Sequence, residues 1–253
     1  MNAFILAAGL GTRLRPLTDS MPKALVPVGG KPLIRILIER LKADGFTHVV
    51  VNVHHFAEQI VNYLNANQNF GIDIQLSDET GQLLETGGAI KKAGKLFGNG
   101  EPFLVHNVDI LHNIDLAQFY REEARRGEAV LLTSPRKTQR YLVFDNSHLV
   151  GWTNIATGEI KSPFPGAFAR IEEKVKNGWG SIHLSAFSGI HIFPSEMLSA
   201  MDSWPDKFSI IDFYLKTCVH GSVRGIEHKD LKLVDVGKLD TLAAAEDFLT
   251  NQI

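Results

Sequence analysis

Gly9, Gly11, Arg13, Arg15 and Lys23 set the first chemical expectation. They lie in Leu6-Ala7-Ala8-Gly9-Leu10-Gly11-Thr12-Arg13-Leu14-Arg15-Pro16 and the following Met21-Pro22-Lys23-Ala24-Leu25. Glycine lets the backbone take positive φ and lets a ligand approach with no Cβ in the way. Such a turn aims successive amide N–H groups at one spot, which suits phosphate oxygens. Arg13 and Arg15 add guanidinium forks able to grip phosphate bidentately, and Lys23, set by the preceding proline, adds a point charge. A strand-to-helix turn with incidental arginines would satisfy the same pattern. Two familiar alternatives fail. No Gly-Lys-Ser/Thr follows at Walker spacing, and Leu14 stands where a dinucleotide fingerprint needs a third small residue. Nor does an acidic residue end the next apolar run, where HVVVNVHH supplies Asn52 and histidines instead.

The loop follows an apolar run at 4–8 that stops at Gly9, the pattern of a strand feeding a glycine turn. Helical spacing over 32–45, 57–64, 87–96 and 116–126 alternates with β-branched or apolar runs at 48–53, 72–76, 102–108 and 129–133. That alternation predicts an α/β fold, a Rossmann-like and mostly parallel sheet with helices on both faces. The second half is less regular. Residues 141–152 read as two short strands joined at Asp145-Asn146, and 159–180 as an irregular excursion rich in Lys, Gly and Pro. Strands at 184–193 and 231–236 and helices at 209–219 and 241–250 complete an α+β portion. With no repeats and no linker, a single domain over 1–253 is expected. Composition is that of an ordinary globular protein, with 44% hydrophobic and 21% charged residues. The net charge of −2 offers no electrostatic footprint for nucleic acid or an anionic membrane. A lone Cys218 excludes an intramolecular disulfide, and no apolar run reaches membrane-spanning length. The first residues lack the basic segment of a signal peptide, so a cytoplasmic protein is expected.

LAAGLGTRLRPLT followed by PKALVPVGGKPLI closely resembles the signature of the sugar-1-phosphate nucleotidyltransferases, the nucleotide-sugar pyrophosphorylases. The resemblance continues through Leu84-Glu85-Thr86-Gly87-Gly88-Ala89-Ile90, Asn107-Val108-Asp109, Phe187-Ser188-Gly189-Ile190 and Val234-Asp235-Val236-Gly237, leaving about 135–180 poorly matched. It implies the nucleotide-diphospho-sugar transferase fold, with 1–134 mainly nucleotide-binding and 135–253 mainly sugar-binding. The absence of hexapeptide repeats argues against a C-terminal β-helix domain. Within the family the chain looks most like the compact N-acetylmuramate 1-phosphate uridylyltransferases. Compact mannose- or heptose-1-phosphate guanylyltransferases are near neighbours.

The reaction so implied is attack of a sugar 1-phosphate oxygen on the α-phosphorus of a nucleoside triphosphate, UTP or GTP, with pyrophosphate leaving. An anionic nucleophile needs no protein base; charge neutralisation and in-line placement do the work. Mg²⁺ suits that task and prefers one or two carboxylates with water completing its shell. Asp109 and Asp235 are the metal candidates. Each ends an apolar run, and strand C-termini of a parallel sheet converge on one crevice. Asp109 also suits a helix N-cap, and Asp235 a turn before Gly237. Val108 replaces the family's usual glycine but can continue a strand. His106 and His112 have no third histidine at ligand spacing and read as bystanders.

Arg13 is matched to the departing pyrophosphate and Lys23 to the α-phosphate or sugar phosphate, making Arg13, Lys23 and Asp109 the candidate catalytic residues. Leu6, Ala8, Gly9, Gly11 and Thr12 would line the nucleotide. Gly87 and Gly88 would let backbone groups read the base, while Glu85 and Thr86 could contact it or cap a helix. Asp78 and Gln82 are weaker base candidates. Ser188 and Gly189 fall where the family contacts sugar, and Asn107 could hydrogen-bond sugar or ribose hydroxyls. Glu172-Glu173-Lys174 reads as a solvated charge run or a sugar-phosphate grip, and Phe164, Phe168 and Trp179 as a lid; Trp152 or Trp179 could equally be packing. A lactyl-ether sugar would call for an extra cation, which Arg136, Arg140, Lys161 or Arg170 could supply. A non-catalytic nucleotide-sugar regulator, or a cytidylyl or phosphocholine transferase, shares much of this pattern. The oligomeric state is open.

Overall fold

In a computed structural model, the structure describes every residue except 99, 125–126, 165, 167–181 and 253. The strands are β1 (Asn2–Leu6), β2 (Pro27–Val28), β3 (Lys31–Pro32), β4 (His48–Val53), β5 (Asp73–Asp78), β6 (Phe103–Asn107) and β7 (Ile110–His112). They continue as β8 (Ala129–Ser134), β9 (Arg140–Asp145), β10 (His148–Asn154), β11 (Glu159–Lys161), β12 (Ile182–Phe193), β13 (Val223–Glu227) and β14 (Leu233–Asp235). The helices are α1 (Leu33–Ala43), α2 (Ala57–Ala66), α3 (Glu85–Ala93), α4 (Leu116–Glu123), α5 (Ile210–Thr217) and α6 (Leu242–Gln252).

One large sheet runs in the order β11-β10-β13-β8-β12-β6-β1-β4-β5, with β9 bridging β10 and β12. β5, β4, β1 and β6 are mutually parallel, as the alternating pattern predicts. β12 runs against both β6 and β8, and β10 against β9, β11 and β13, so the sheet is mixed beyond β6. Side-chain alternation divides two cores. Ala3, Ile5, Val49, Val51 and Leu104 face α1, α2 and α4; Phe4, Val50, Phe103 and Val105 face α3 and α5. On α1, Leu33, Ile34, Leu37, Ile38 and Leu41 supply the buried stripe, each stabilising by roughly 2 kcal/mol relative to exposure.

Two departures from the sequence reading follow from tertiary contacts. β13 is invisible in VRGIE because its polar residues are satisfied from outside the strand. Arg224 pairs with Glu123 and with Glu128 (3.2 Å), and Gly225 is needed because a Cβ there would strike the Phe144 ring. β14 does not join the large sheet; it pairs antiparallel with β7 in a ribbon of its own. Among the smaller differences, α3 starts at Glu85 rather than Gly87, and α4 ends at Glu123, short of the expected Arg126, which is not described. Of the expected excursion, Glu159–Lys161 is strand β11, while Phe168, Arg170, Glu172, Glu173, Lys174 and Trp179 lie outside the described residues. No helix among the described residues is long and apolar enough to cross a membrane.

Candidate active site

The chain leaving β1 is held before it reaches the first glycine. Asn52 on β4 accepts from the amides of Ala7 (2.6 Å) and Ala8 (3.2 Å), and Thr18 donates to the Gly11 carbonyl (2.8 Å). The amides of Gly9 and Gly11 have no acceptor among the described residues and remain free for a ligand. Only Gly11 takes positive φ (63°), and a Cβ there would come within 2.9 Å of Thr18 Cγ2. Gly9, expected to share that conformation, does not; a Cβ there meets nothing, so its value lies in open approach. Thr12 and Arg13 begin a short 3₁₀ turn and are exposed.

A cleft of about 250 Å³ opens beside this loop, lined by Leu6, Ala8, Gly9, Lys23, Asn52, Glu79, Leu83, Glu85, Thr86, Asn107 and Asp109, among others. At its far side Lys23, buried at 8% exposure, forms an ion pair with Asp109. Asp109 lies in the turn between β6 and β7, and its carbonyl accepts from the Val236 amide (2.8 Å). That bond, with the Asp235–Ile110 register of β14 on β7, brings the two aspartates together. The expected convergence is therefore real, but it arises from the ribbon and not from neighbouring ends of a parallel sheet.

Asp235 Oδ1 is buried with no hydrogen-bond partner among the described residues. Burial, followed by the negative charge of Asp109, raises the Asp235 pKa; Lys23, Arg13 and Arg136 oppose the rise. An orphaned carboxylate oxygen beside a second carboxylate is a donor set that a hard divalent cation would satisfy. Gly237 keeps the corner open, since a Cβ there would lie 2.7 Å from Asp235 Oδ1 and 2.9 Å from Arg13 Nη2.

Beyond Asp235 lies a wider cavity of about 670 Å³, lined by residues including Arg13, Arg136, Arg140, Tyr141, Trp152, Lys161, Phe187 and Asp212. Arg13 thus stands beside Asp235 on this side, and not in the smaller cleft. Arg136 donates to the Phe187 carbonyl (3.0 Å). Lys161 sits 5.3 Å from the Trp152 ring centre and 3.4 Å from Asp212. The Arg140 guanidinium has no partner among the described residues.

The chain belongs to the nucleotidyl transferase family, whose model matches residues 2–252. As a nucleotidyltransferase it is 34% identical over 252 residues to the N-acetylmuramate alpha-1-phosphate uridylyltransferase of Caulobacter vibrioides, covering 96% of this chain and 95% of the relative. The protein of that name from Neisseria meningitidis is 36% identical over 203 residues, covering 80% and 79% of the two chains. Among solved structures, a UDP-glucose pyrophosphorylase complexed with UDP-glucose superposes with a TM-score of 0.74 at 16% identity, covering 100% of this chain and 99% of that one. At that identity the likeness is one of fold.

Several expected contacts of this nucleotidyltransferase are redirected. The amides of Gly87 and Gly88 both point at the Phe208 carbonyl (2.8 and 3.3 Å), so they are not available to a base. The pair lacks side chains because a Cβ would collide with Phe208 at one position and the Asp206 carbonyl at the other. Ser188, expected on the sugar, is 1% exposed and accepts from the Ile190 amide (3.1 Å) at a bulge in β12. Gly189 takes φ 83° in that bulge, where a Cβ would sit 2.7 Å from Asn107 Nδ2. Its role is to seat Asn107, which lines the smaller cleft, and Phe187 is the residue of that segment facing the wider cavity.

Thr86 accepts from the Ile210 amide (3.0 Å), capping α5 rather than α3, while Glu85 holds φ 60° at the cleft, 3.9 Å from Lys207. Asp78 and Gln82 lie outside the cleft, and hydrogen bonding from the Thr80 side chain, then from its amide (2.7 Å), lowers the Asp78 pKa. His106 and His112 lie against each other with ring centres 5.1 Å apart and planes tilted by 43°; burial pushes His106 down to about 4 and His112 well below 6.5. No cluster of three or more metal-ligating side chains occurs among the described residues. The sequence reading missed Glu79 and Leu83, and it passed over Asn52 because it matched no known loop pattern. The signal available was a polar residue inside the apolar run HVVVNV.

Proposed function

We propose that this nucleotidyltransferase condenses a nucleoside triphosphate with a sugar 1-phosphate, giving a nucleotide-sugar and pyrophosphate. The observation that carries this reading is the meeting of two cavities at one charged seam. Lys23 and Asp109 border the smaller cleft, and Arg13 and Asp235 border the wider one. A nucleotide in the first and a sugar phosphate in the second would bring donor phosphorus and acceptor oxygen together between them. Asp109 and Asp235 would hold Mg²⁺, which supplies Lewis-acid neutralisation of the phosphates when bound. The free amides of Gly9 and Gly11 cradle phosphate oxygens. Lys23 balances the α-phosphate, and Arg13 neutralises phosphate oxygens at the seam, including charge gathering on the leaving pyrophosphate. Leu6, Ala8, Glu85 and Asn107 shape the nucleotide side, with Thr12 on the loop next to it, and the Leu83 amide, which has no acceptor among the described residues, offers a donor to the base.

For the substrates we take UTP and N-acetylmuramate 1-phosphate. The support is the name of two relatives matched over most of their length, together with a wide cavity that offers Arg136, Arg140 and Lys161 to an anionic sugar substituent. Pyrophosphate release would be followed with ATP, CTP, GTP and UTP against N-acetylmuramate, N-acetylglucosamine, glucose and mannose 1-phosphates, with and without Mg²⁺. UTP with N-acetylmuramate 1-phosphate is expected to give the highest kcat/KM. GTP with mannose 1-phosphate in first place would overturn the substrate assignment, and no release with any pair would overturn the reaction.

A further inference from the structure

Asn52 and Glu79 are each 2% exposed, yet both border the nucleotide cleft. Asn52 Oδ1 accepts from the Ala7 and Ala8 amides, and its Nδ2 donates to Glu79 Oε1 (2.7 Å). Glu79 Oε2 accepts from the Leu84 amide (3.1 Å). One unbroken chain of hydrogen bonds therefore runs from the end of β1, across β4, to the loop ahead of α3. Its two ends belong to two segments that line the cleft: the start of the glycine loop at Ala7 and Ala8, and the stretch holding Leu83, Glu85 and Thr86.

The polarity of this chain dictates the residue types. Two donors, the Asn52 amide and the Leu84 N–H, converge on residue 79, so that residue must accept on both arms. A carboxylate does so; a glutamine accepts on one arm and donates on the other. Burying a carboxylate with no cation bonded to it is costly, and plain wall-filling would be met more cheaply by an apolar residue.

We propose that Asn52 and Glu79 are a positioning pair that sets the spacing between the phosphate loop and the base-side loop, and so acts on nucleotide binding but not on the acceptor. This rests on the reading of the smaller cleft as the nucleotide site. Each Glu79 oxygen is tied to a group that carries a cleft wall, so Glu79 acts through the backbone it holds.

The pair can be tested by reversing its polarity. In N52D two carboxylates face each other. In E79Q a donor meets a donor, at Asn52 or at Leu84, whichever way the amide turns. In N52D/E79Q every bond returns: Asp at 52 accepts from Ala7, Ala8 and Gln at 79, which still accepts from Leu84. All three variants keep the original volumes, so a packing role predicts no pattern among them. KM for the nucleotide, KM for the sugar phosphate, equilibrium binding of the nucleotide alone and the thermal midpoint would be measured. Each single variant should raise nucleotide KM and Kd by about tenfold, as expected for a broken buried hydrogen bond, with acceptor KM within about twofold. The double variant should return to within about threefold of the parent.

A double variant no better than the poorer single, singles that bind nucleotide like the parent, or an equal rise in acceptor KM would overturn the proposal. Should N52D fail to fold, E79Q against the double carries the comparison, and a double that fails to fold where E79Q folds also counts against it. A parent that binds no nucleoside triphosphate brings down the functional reading along with the pair. A parent that binds one, with variants that do not differ from it, brings down the pair alone.

Discussion

Where the cleft proposed for the nucleotide is walled by backbone and by side chains already bonded to one another, the cavity proposed for the acceptor is lined by long side chains reaching toward solvent. Asn52, Glu79, Thr86 and Lys23 each have a defined partner, three of them buried. Arg13, Arg136 and Arg140 are exposed. The first region rests on strands that belong to the parallel part of the sheet, the second on β9, β10 and β11, which join through antiparallel pairing. A preorganised wall recognises what all nucleoside triphosphates share, their phosphates. A wall of flexible cations can be changed one side chain at a time without disturbing the core, which suits the part of a substrate that differs among relatives.

That contrast can be broken most severely at the seam. Asp109→Ala removes a carboxylate assigned to the metal and leaves Lys23 unpaired, and turnover should fall about a hundredfold or more with the fold retained. Turnover within about threefold of the parent would show that the seam is not where the chemistry occurs.

A smaller effect, confined to one side, is expected at Arg140. Arg140→Ala should raise KM for N-acetylmuramate 1-phosphate by about tenfold, as for a lost charge-assisted contact, while KM for UTP and for N-acetylglucosamine 1-phosphate stays within about twofold. Equal losses for both sugars would mean that this guanidinium does not read the anionic substituent.

The gentlest test concerns the strands shared by both regions. His106 on β6 is pushed down to about 4 and His191 on β12 to about 3, in both cases chiefly by burial. A histidine whose folded pKa lies below its unfolded value binds more protons when unfolded. Its stabilising contribution is therefore full above about pH 6.5 and is lost as the pH falls toward 4 and then 3, at up to about 1.4 kcal/mol per pH unit per histidine. The free energy of unfolding should decline from pH 7 to pH 5 in one transition covering both regions. His191→Phe, which removes a ring with neither nitrogen bonded among the described residues, should make that decline shallower by about one proton. An unchanged slope would rule out His191 as a contributor.

Much of the parallel half was legible because its signals are local. Apolar runs ending at glycine, helical spacing in α1 and the glycine loop depend on neighbours in the chain. β13 was not legible, since Arg224 and Gly225 are explained by Glu123, Glu128 and Phe144, all far away in sequence. Glycine was the most misleading residue. Gly87, Gly88 and Gly189 resemble ligand contacts in the sequence, but each is small because another part of the protein presses against it.

By itself, the sequence determined the fold class, the glycine loop at Gly9 to Lys23 and the two aspartates worth pairing, because residue type and order carry that information. Only the tertiary structure decided how Asp109 and Asp235 meet, through the β7–β14 ribbon, and which donors stay free. It also decided that Asn52 and Glu79 join the cleft walls and that Arg13 stands beside Asp235. The physical reason is that a hydrogen bond or a steric contact belongs to two residues at once. The identity of either one, read along the chain, does not name the other.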